Sequence, residues 1–96
     1  MRIARVVGNV VSTIKEETHY GRKMMIIEYL DLDMKPIGTR DIALDAADAG
    51  IGDIVLTSRD GGSAKMLFED KGLISDITIC GVLDHYSLNG KIIKTT

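Results

Sequence analysis

Little in this sequence could cross-link a chain, stack on a base or hold an ion. A single cysteine, Cys80, excludes an internal disulfide and fits a reducing compartment. Tryptophan is absent, and the aromatic set is Tyr20, Tyr29, Phe68 and Tyr86. Core and interfaces must therefore be built from Ile, Leu, Val and Met. There is no basic excess: 12 Lys and Arg face 14 Asp and Glu, a formal net charge of -2. That argues against nucleic acid as a main partner, because gripping phosphates requires a basic surface. No long apolar run is present either. The opening Met1-Arg2-Ile3-Ala4-Arg5 is charged, and Gly8-Asn9 interrupts the apolar stretch after it. This reads as neither signal peptide nor membrane span, so the expected location is the cytoplasm.

What is present is a hydrophobic content of 45% in 96 residues, too apolar for a disordered chain and long enough for one domain over 1–96. A domain of this size buries about 60–65% of its unfolded surface, which leaves a thin margin of stability. Such domains often gain stability by association, because a partner that binds only the folded state draws the equilibrium toward it.

The dominant hydrophobic period is two, the signature of strands. The first segment runs from Arg2 to Thr13, with Ala4, Val6, Gly8 and Val10 on one face. Ile3, Arg5, Val7 and Asn9 take the other. Gly8 in mid-strand predicts a bend, as at a barrel corner. The second segment spans Lys23 to Leu32, with apolar residues on both faces. Asp31 to Gly38, containing Pro36, predicts a turn. The third segment is Thr39 to Asp45, with Ile42 and Leu44 sharing a face, and the fourth is Asp53 to Ser58. Between them, Ala46-Ala47-Asp48-Ala49-Gly50-Ile51-Gly52 reads as a tight loop of small residues, closely approached by another backbone. Ser63 is placed to cap a short helix through Phe68, stopped by Gly72. The fifth segment is Asp76 to Asp84. Asn89-Gly90 then predicts a two-residue hairpin turn joining His85–Leu88 to Lys91–Thr95. This order predicts a mainly β fold: a small five-stranded, partly open OB-like barrel with one short α-helix and a C-terminal β-hairpin. Open strand edges need a cover, and a neighbouring subunit is one.

Candidate chemistry is sparse. His19 and His85 have no metal-ligand spacing, Cys80 has no near partner, and no metal or other cofactor is expected. Cys80 lies in the apolar run Ile77 to Val82 and reads as a small buried hydrophobe. Asp45, Asp48, Asp76 and Asp84 sit at strand ends or in loops, where aspartate commonly caps or turns backbone rather than doing acid–base work. Gly61-Gly62-Ser63-Ala64-Lys65 lacks the Gly-Lys-Ser/Thr step of a phosphate-binding P-loop, and a plain loop-to-helix turn is the preferred reading.

Taken together, several of these runs resemble the EutN/CcmL family of bacterial microcompartment shell vertex proteins. Ile3-Ala4-Arg5-Val6-Val7-Gly8-Asn9-Val10-Val11-Ser12-Thr13 is similar to the family's opening strand. Gly21 with Lys23-Met24-Met25-Ile26-Ile27 is similar to its second. Ala43-Leu44-Asp45 followed by Ala49-Gly50-Ile51-Gly52-Asp53-Ile54-Val55-Leu56 is similar to its central loop and next strand. Gly62, Ser63, Ala64 and Lys65 occupy its helix-start motif, and Ile74 to Asp84 its closing strand. Three departures stand out. Asp48 replaces the usual glycine, Gly62 replaces a serine, and Lys65 replaces an arginine whose forked hydrogen bonding lysine cannot reproduce.

The resemblance implies a non-enzymatic homopentamer that plugs the five-fold vertices of a polyhedral shell, beside hexameric shell proteins, inside the cytoplasm. It implies that the C-terminal segment packs on an adjacent subunit. A pore lined by Asp48, Ala49 and Gly50 is a further expectation: small residues let five backbones converge, and an acidic ring disfavours anions. A competing reading is an OB-type binding module for nucleic acid or a small ligand. It is weakened by the acidic balance and the scarcity of stacking aromatics.

Overall fold

The computed structural model describes residues 1–10, 23–59 and 77–95. Its first strand, β1 (Arg2–Val10), serves two neighbours. Arg2 to Arg5 pair antiparallel with β4 (Ile54–Ser58), and Ala4 to Val10 pair antiparallel with β2 (Met24–Leu30). The pairing with β2 steps from Val6 directly to Gly8, so Val7 is an extra residue. Such a bulge bends a strand and increases its twist, which lets β1 turn from one neighbour to the other. Gly8 sits at that step against Ile26, where an added Cβ would lie 3.4 Å from the isoleucine Cδ1. The expected corner is therefore present.

β2 pairs along its length with β3 (Pro36–Asp45). The turn between them is tighter than expected. The Asp31 carboxylate accepts hydrogen bonds from the backbone N–H of Asp33 and of Lys35 at 2.9 and 3.0 Å. Met34 adopts a φ of 66°, and the chain is back in strand geometry at Pro36 rather than Thr39. Proline is tolerated there because it opens the strand. β3 then runs parallel to β5 (Thr78–Val82), but only through Leu44 opposite Thr78 and Asp45 opposite Ile79. β5 pairs antiparallel with β4, which completes the order β1-β2-β3-β5-β4. The five strands close into a barrel, where the sequence suggested a partly open one. Closure comes from β4, which pairs on both sides. Its weak point is the two-pair β3–β5 seam. Among the described residues, the edge of β3 from Pro36 to Ala43 that faces away from β2 has no strand partner. The expected helix start, Gly62 to Lys65, and the ends of the first and fifth segments lie outside the described residues.

Inside the barrel, Ala4, Val6, Met25, Ile27, Tyr29, Ala43, Val55, Ile77 and Ile79 form one buried cluster. The alternation read from β1 holds as far as Val6; past the bulge, Gly8 and Val10, expected on the face of Ala4 and Val6, turn outward. Each fully buried aliphatic side chain contributes about 1.5–3 kcal/mol relative to exposure. Outside, strand register lays side chains of β1, β2 and β3 in transverse rows. Gly8, Ile26 and Ile42 form one row; Val10, Met24 and Leu44 form the next. Arg5, Glu28 and Arg40 form a charged row beyond, with Arg40 Nε 3.0 Å from Glu28 Oε2. Ile42 and Leu44 do share a face, and it is this outer one.

A separate two-stranded sheet ends the chain: β6 (His85–Leu88) and β7 (Lys91–Lys94). Asn89 and Gly90 have φ of 53° and 79°, the two left-handed positions that a type I′ turn requires. The hairpin is tied to the barrel at its base. Leu83 N–H donates to the Ile54 carbonyl at 2.8 Å, Thr95 N–H donates to Asp84 O at 3.1 Å, and the Thr95 hydroxyl donates to Leu83 O. Farther out, the Tyr86 hydroxyl donates to Leu32 O in the β2–β3 turn.

Candidate functional site

The loop from Ala46 to Asp53, between β3 and β4, is held by two carboxylates and one ammonium. Asp45 closes β3, and its carboxylate is fully buried. One oxygen accepts the N–H of Ala47 at 2.9 Å, the other the N–H of Ala49 at 2.8 Å. This is aspartate turning backbone, as its position implied, with both oxygens used. The Lys23 ammonium donates to the Ala49 carbonyl at 2.7 Å and lies 3.4 Å from Asp45 Oδ2 and 3.5 Å from Asp48 Oδ1. Lys23 is itself fixed, because its backbone carbonyl accepts the N–H of Asp45 at 2.9 Å. A buried carboxylate with an ion partner and two amide donors is stable only as a set, so loss of one member leaves the others unpaired.

The far half of the loop is pinned as well. Asp53 Oδ2 accepts the Gly50 N–H at 2.8 Å, and its own N–H donates to Gly50 O at 3.1 Å. Gly52 N–H donates to Val6 O and Val6 N–H to Asp53 O, at 2.8 and 2.9 Å. The backbone of β1 thus runs against the loop, the close approach that its small residues predicted. Gly52 has a φ of 96° and Asp48 a φ of 54°. The second value explains why glycine suits that position and why aspartate is an acceptable substitute: it enters the left-handed region more readily than most residues.

The three pore candidates do not share one environment. Asp48 projects into solvent, its side chain 99% exposed. Gly50 is exposed beside it. Ala49 faces inward and belongs to the core cluster, so its methyl anchors the loop and its backbone alone is available to a neighbour. Lys23, which organises the site, was not singled out from sequence. Nothing in the residue pattern ties a lysine at the start of one strand to a loop 26 positions on; only the β2–β3 register does.

A second polar group lies near the start of β1, also unread from sequence. The Tyr29 ring is wholly buried beneath the Arg2 guanidinium, 3.8 Å from the ring centroid. Its hydroxyl donates to Asp41 Oδ2 at 3.2 Å, and Arg59 Nη2 reaches the same oxygen at 3.2 Å. Burial above all, and then the hydrogen bond to Asp41 and its negative charge, raise the Tyr29 hydroxyl above 10.0, against an opposing pull from Arg59. Cys80 is half-buried rather than buried, its S–H directed to Thr78 O, and burial raises its thiol above 9.0. His85 is exposed; His19 and Asp76 lie outside the described residues. Among the described residues no three His, Cys, Asp or Glu side chains converge as metal ligands would.

Residues 1–84 match the model of the family described as ethanolamine utilisation protein EutN/carboxysome. The chain is 33% identical to the microcompartment shell vertex protein PduN of Salmonella typhimurium, over 91% of this chain and 99% of the relative. It is 34% identical to the carboxysome shell vertex protein CcmL of Thermosynechococcus vestitus, over 91% and 87%. Among solved structures it superposes on CcmL of Gloeobacter violaceus with a TM-score of 0.87 at 30% identity, covering 96% of this chain and 94% of that one. It superposes on the pentameric shell protein GrpN of Rhodospirillum rubrum with a TM-score of 0.79 at 31% identity, covering 92% and 99%.

Proposed function

Since the chain belongs to the EutN/CcmL family, we propose that it is a structural subunit that assembles into a homopentamer and caps the five-fold vertices of a polyhedral bacterial microcompartment in the cytoplasm. The observation that carries this is likeness along nearly the whole chain, in sequence and in fold, to shell vertex proteins, one of which is pentameric. A flat sheet of hexagonal tiles cannot close; five-fold tiles supply the curvature. A ring needs a heterologous interface whose rotation closes. The half-covered hairpin and the outer rows of β1–β3 offer two unlike surfaces for it. The hairpin packs on the adjacent subunit, and hexameric shell proteins flank the ring. The part is mechanical, with no reaction and no cofactor.

In this reading the central loops of five copies turn toward the axis and border a narrow pore. Asp48 and Gly50 line it, and Ala49 holds the loop to the barrel. Each Asp48 arrives with its own Lys23, so the rim is a ring of ion pairs rather than a bare acidic ring. Its repulsion of anions is correspondingly weaker.

Native mass spectrometry tests the assembly: five copies are expected, and a stable monomer at high concentration overturns the reading. For the pore, Asp48→Asn is the informative change. It removes the charge and keeps a residue that tolerates a φ of 54°, where alanine would add strain. Unchanged leakage of charged metabolites from shells built with this variant would exclude Asp48 from the pore.

A further inference from the structure

We infer that the tip of the central loop, centred on Ile51, is a knob that seats on the outer face of β1–β2–β3 of the next copy of this chain. The inference rests on the ring reading above and adds to its hairpin contact a second contact between neighbours, for which the β1–β3 face is the receiving surface. Ile51 is 65% exposed, yet it sits on a loop fixed on both sides by Asp45, Lys23, Asp53 and the Val6 backbone. A large aliphatic side chain held out to water on a rigid support loses little conformational freedom when a partner covers it. The strand face has matching character. Ile42, 55% exposed in mid-strand, stands in a row with Ile26 and Gly8. Gly8 has no side chain, so the row has a shallow end beside the two isoleucines.

Charge favours the same pairing. Asp48 and Asp53 flank the knob, and Lys23 offsets the charge of Asp48, so Asp53 leaves the rim net acidic. The strand face is edged by Arg5 and Arg40, and only Arg40 has a carboxylate partner, Glu28, among the described residues. An acidic-rimmed apolar knob and a basic-rimmed apolar face attract each other and repel their own kind. That selects knob-to-face contact, which is heterologous and propagates around a ring, over a two-fold pairing of like surfaces. The two surfaces belong to different elements, so each copy presents both at once.

The experiment uses two full-length variants, Ile51→Asp and Ile42→Asp, each a change at an exposed position. Circular dichroism and thermal melts establish that both stay folded. Native mass spectrometry then reads the copies per particle. Wild type is expected at five. Each variant alone is expected to be monomeric, its association weakened at least about tenfold by a charge placed in the contact. Mixed in equal amounts, the two should give a one-to-one dimer and nothing larger, because each partner retains a different intact surface. As a second measurement, Ile51→Cys and Ile42→Cys chains, both in a Cys80→Ala background, should form a disulfide between copies on mixing. Rings formed by either aspartate variant alone, mixed species beyond two copies, or no cross-link would overturn the assignment while leaving the pentamer in place. A wild-type protein that is itself not pentameric removes the ring reading instead, so the two failures are told apart.

Discussion

The barrel and the terminal hairpin are both β-structure, yet they are stabilised on different terms. Each barrel strand sends alternate residues into a shared core, where Val6, Ile27, Val55 and Ile79 are wholly buried. The hairpin has no face of that kind: all eight residues of β6 and β7 are exposed or half-buried, with Ile92 at 67%. An isolated two-stranded hairpin is marginal in water at best. Its turn chemistry is sound and its base is tied down to the barrel, while its side chains stay open to water. The barrel has a core of its own, and the hairpin has none among the described residues.

The largest effect should come from separating the two. A chain ending after Asp84, where the family match also ends, removes β6 and β7 and leaves every barrel pairing intact. The barrel should still fold cooperatively in urea, while sedimentation shows the ring lost or much weakened. A truncated chain that fails to fold would mean that the hairpin supports the barrel from within one molecule. The same contrast can be drawn with single residues. Ile27→Ala should cost about 2–5 kcal/mol of folding stability, the usual range for emptying a buried site. Ile92→Ala should cost under about 0.5 kcal/mol in a dilute, dissociated sample. If Ile92→Ala costs as much there as Ile27→Ala, the hairpin is packed within its own chain.

The same contrast shows what sequence reading reached. Alternation in β2 and in β1 as far as Val6, the Asn89-Gly90 turn, the bend at Gly8 and the close approach at the central loop are local signals, and each was legible; the bulge that turns Gly8 and Val10 to the other face was not. Three further features were not. The barrel's closure depends on β4 pairing with two strands, which no local pattern in Ile54–Ser58 states. The early start of β3 followed from an aspartate side chain finishing the turn at Lys35. Lys23 and the Tyr29–Asp41–Arg59 group join residues distant in sequence whose adjacency exists only once strand register is set. Register is global information, because a one-residue slip would send each side chain to the opposite face.

A subtler effect, a change in pH dependence, tests whether that second group acts as a unit. Tyr29 lies in the core, with its hydroxyl on Asp41 and its ring under Arg2, and its pKa is raised above the ordinary 10.0. The unfolded chain therefore loses this proton before the folded one does. Stability from the raised pKa is fully present below about pH 10 and falls as pH climbs toward the folded value, by at most about 1.4 kcal/mol per pH unit for one proton. Cys80, raised above 9.0, adds a slope of the same sign from a lower pH, so the comparison is best made in a Cys80→Ala background. There Tyr29→Phe should cost about 1 kcal/mol at neutral pH, for one hydrogen bond. It should also flatten the decline above pH 10, read as urea midpoints across pH 8–11. Parallel declines in the two proteins would mean that the hydroxyl titrates as it does in the unfolded chain, and that the Asp41 and Arg59 contacts do not act on Tyr29 as a unit.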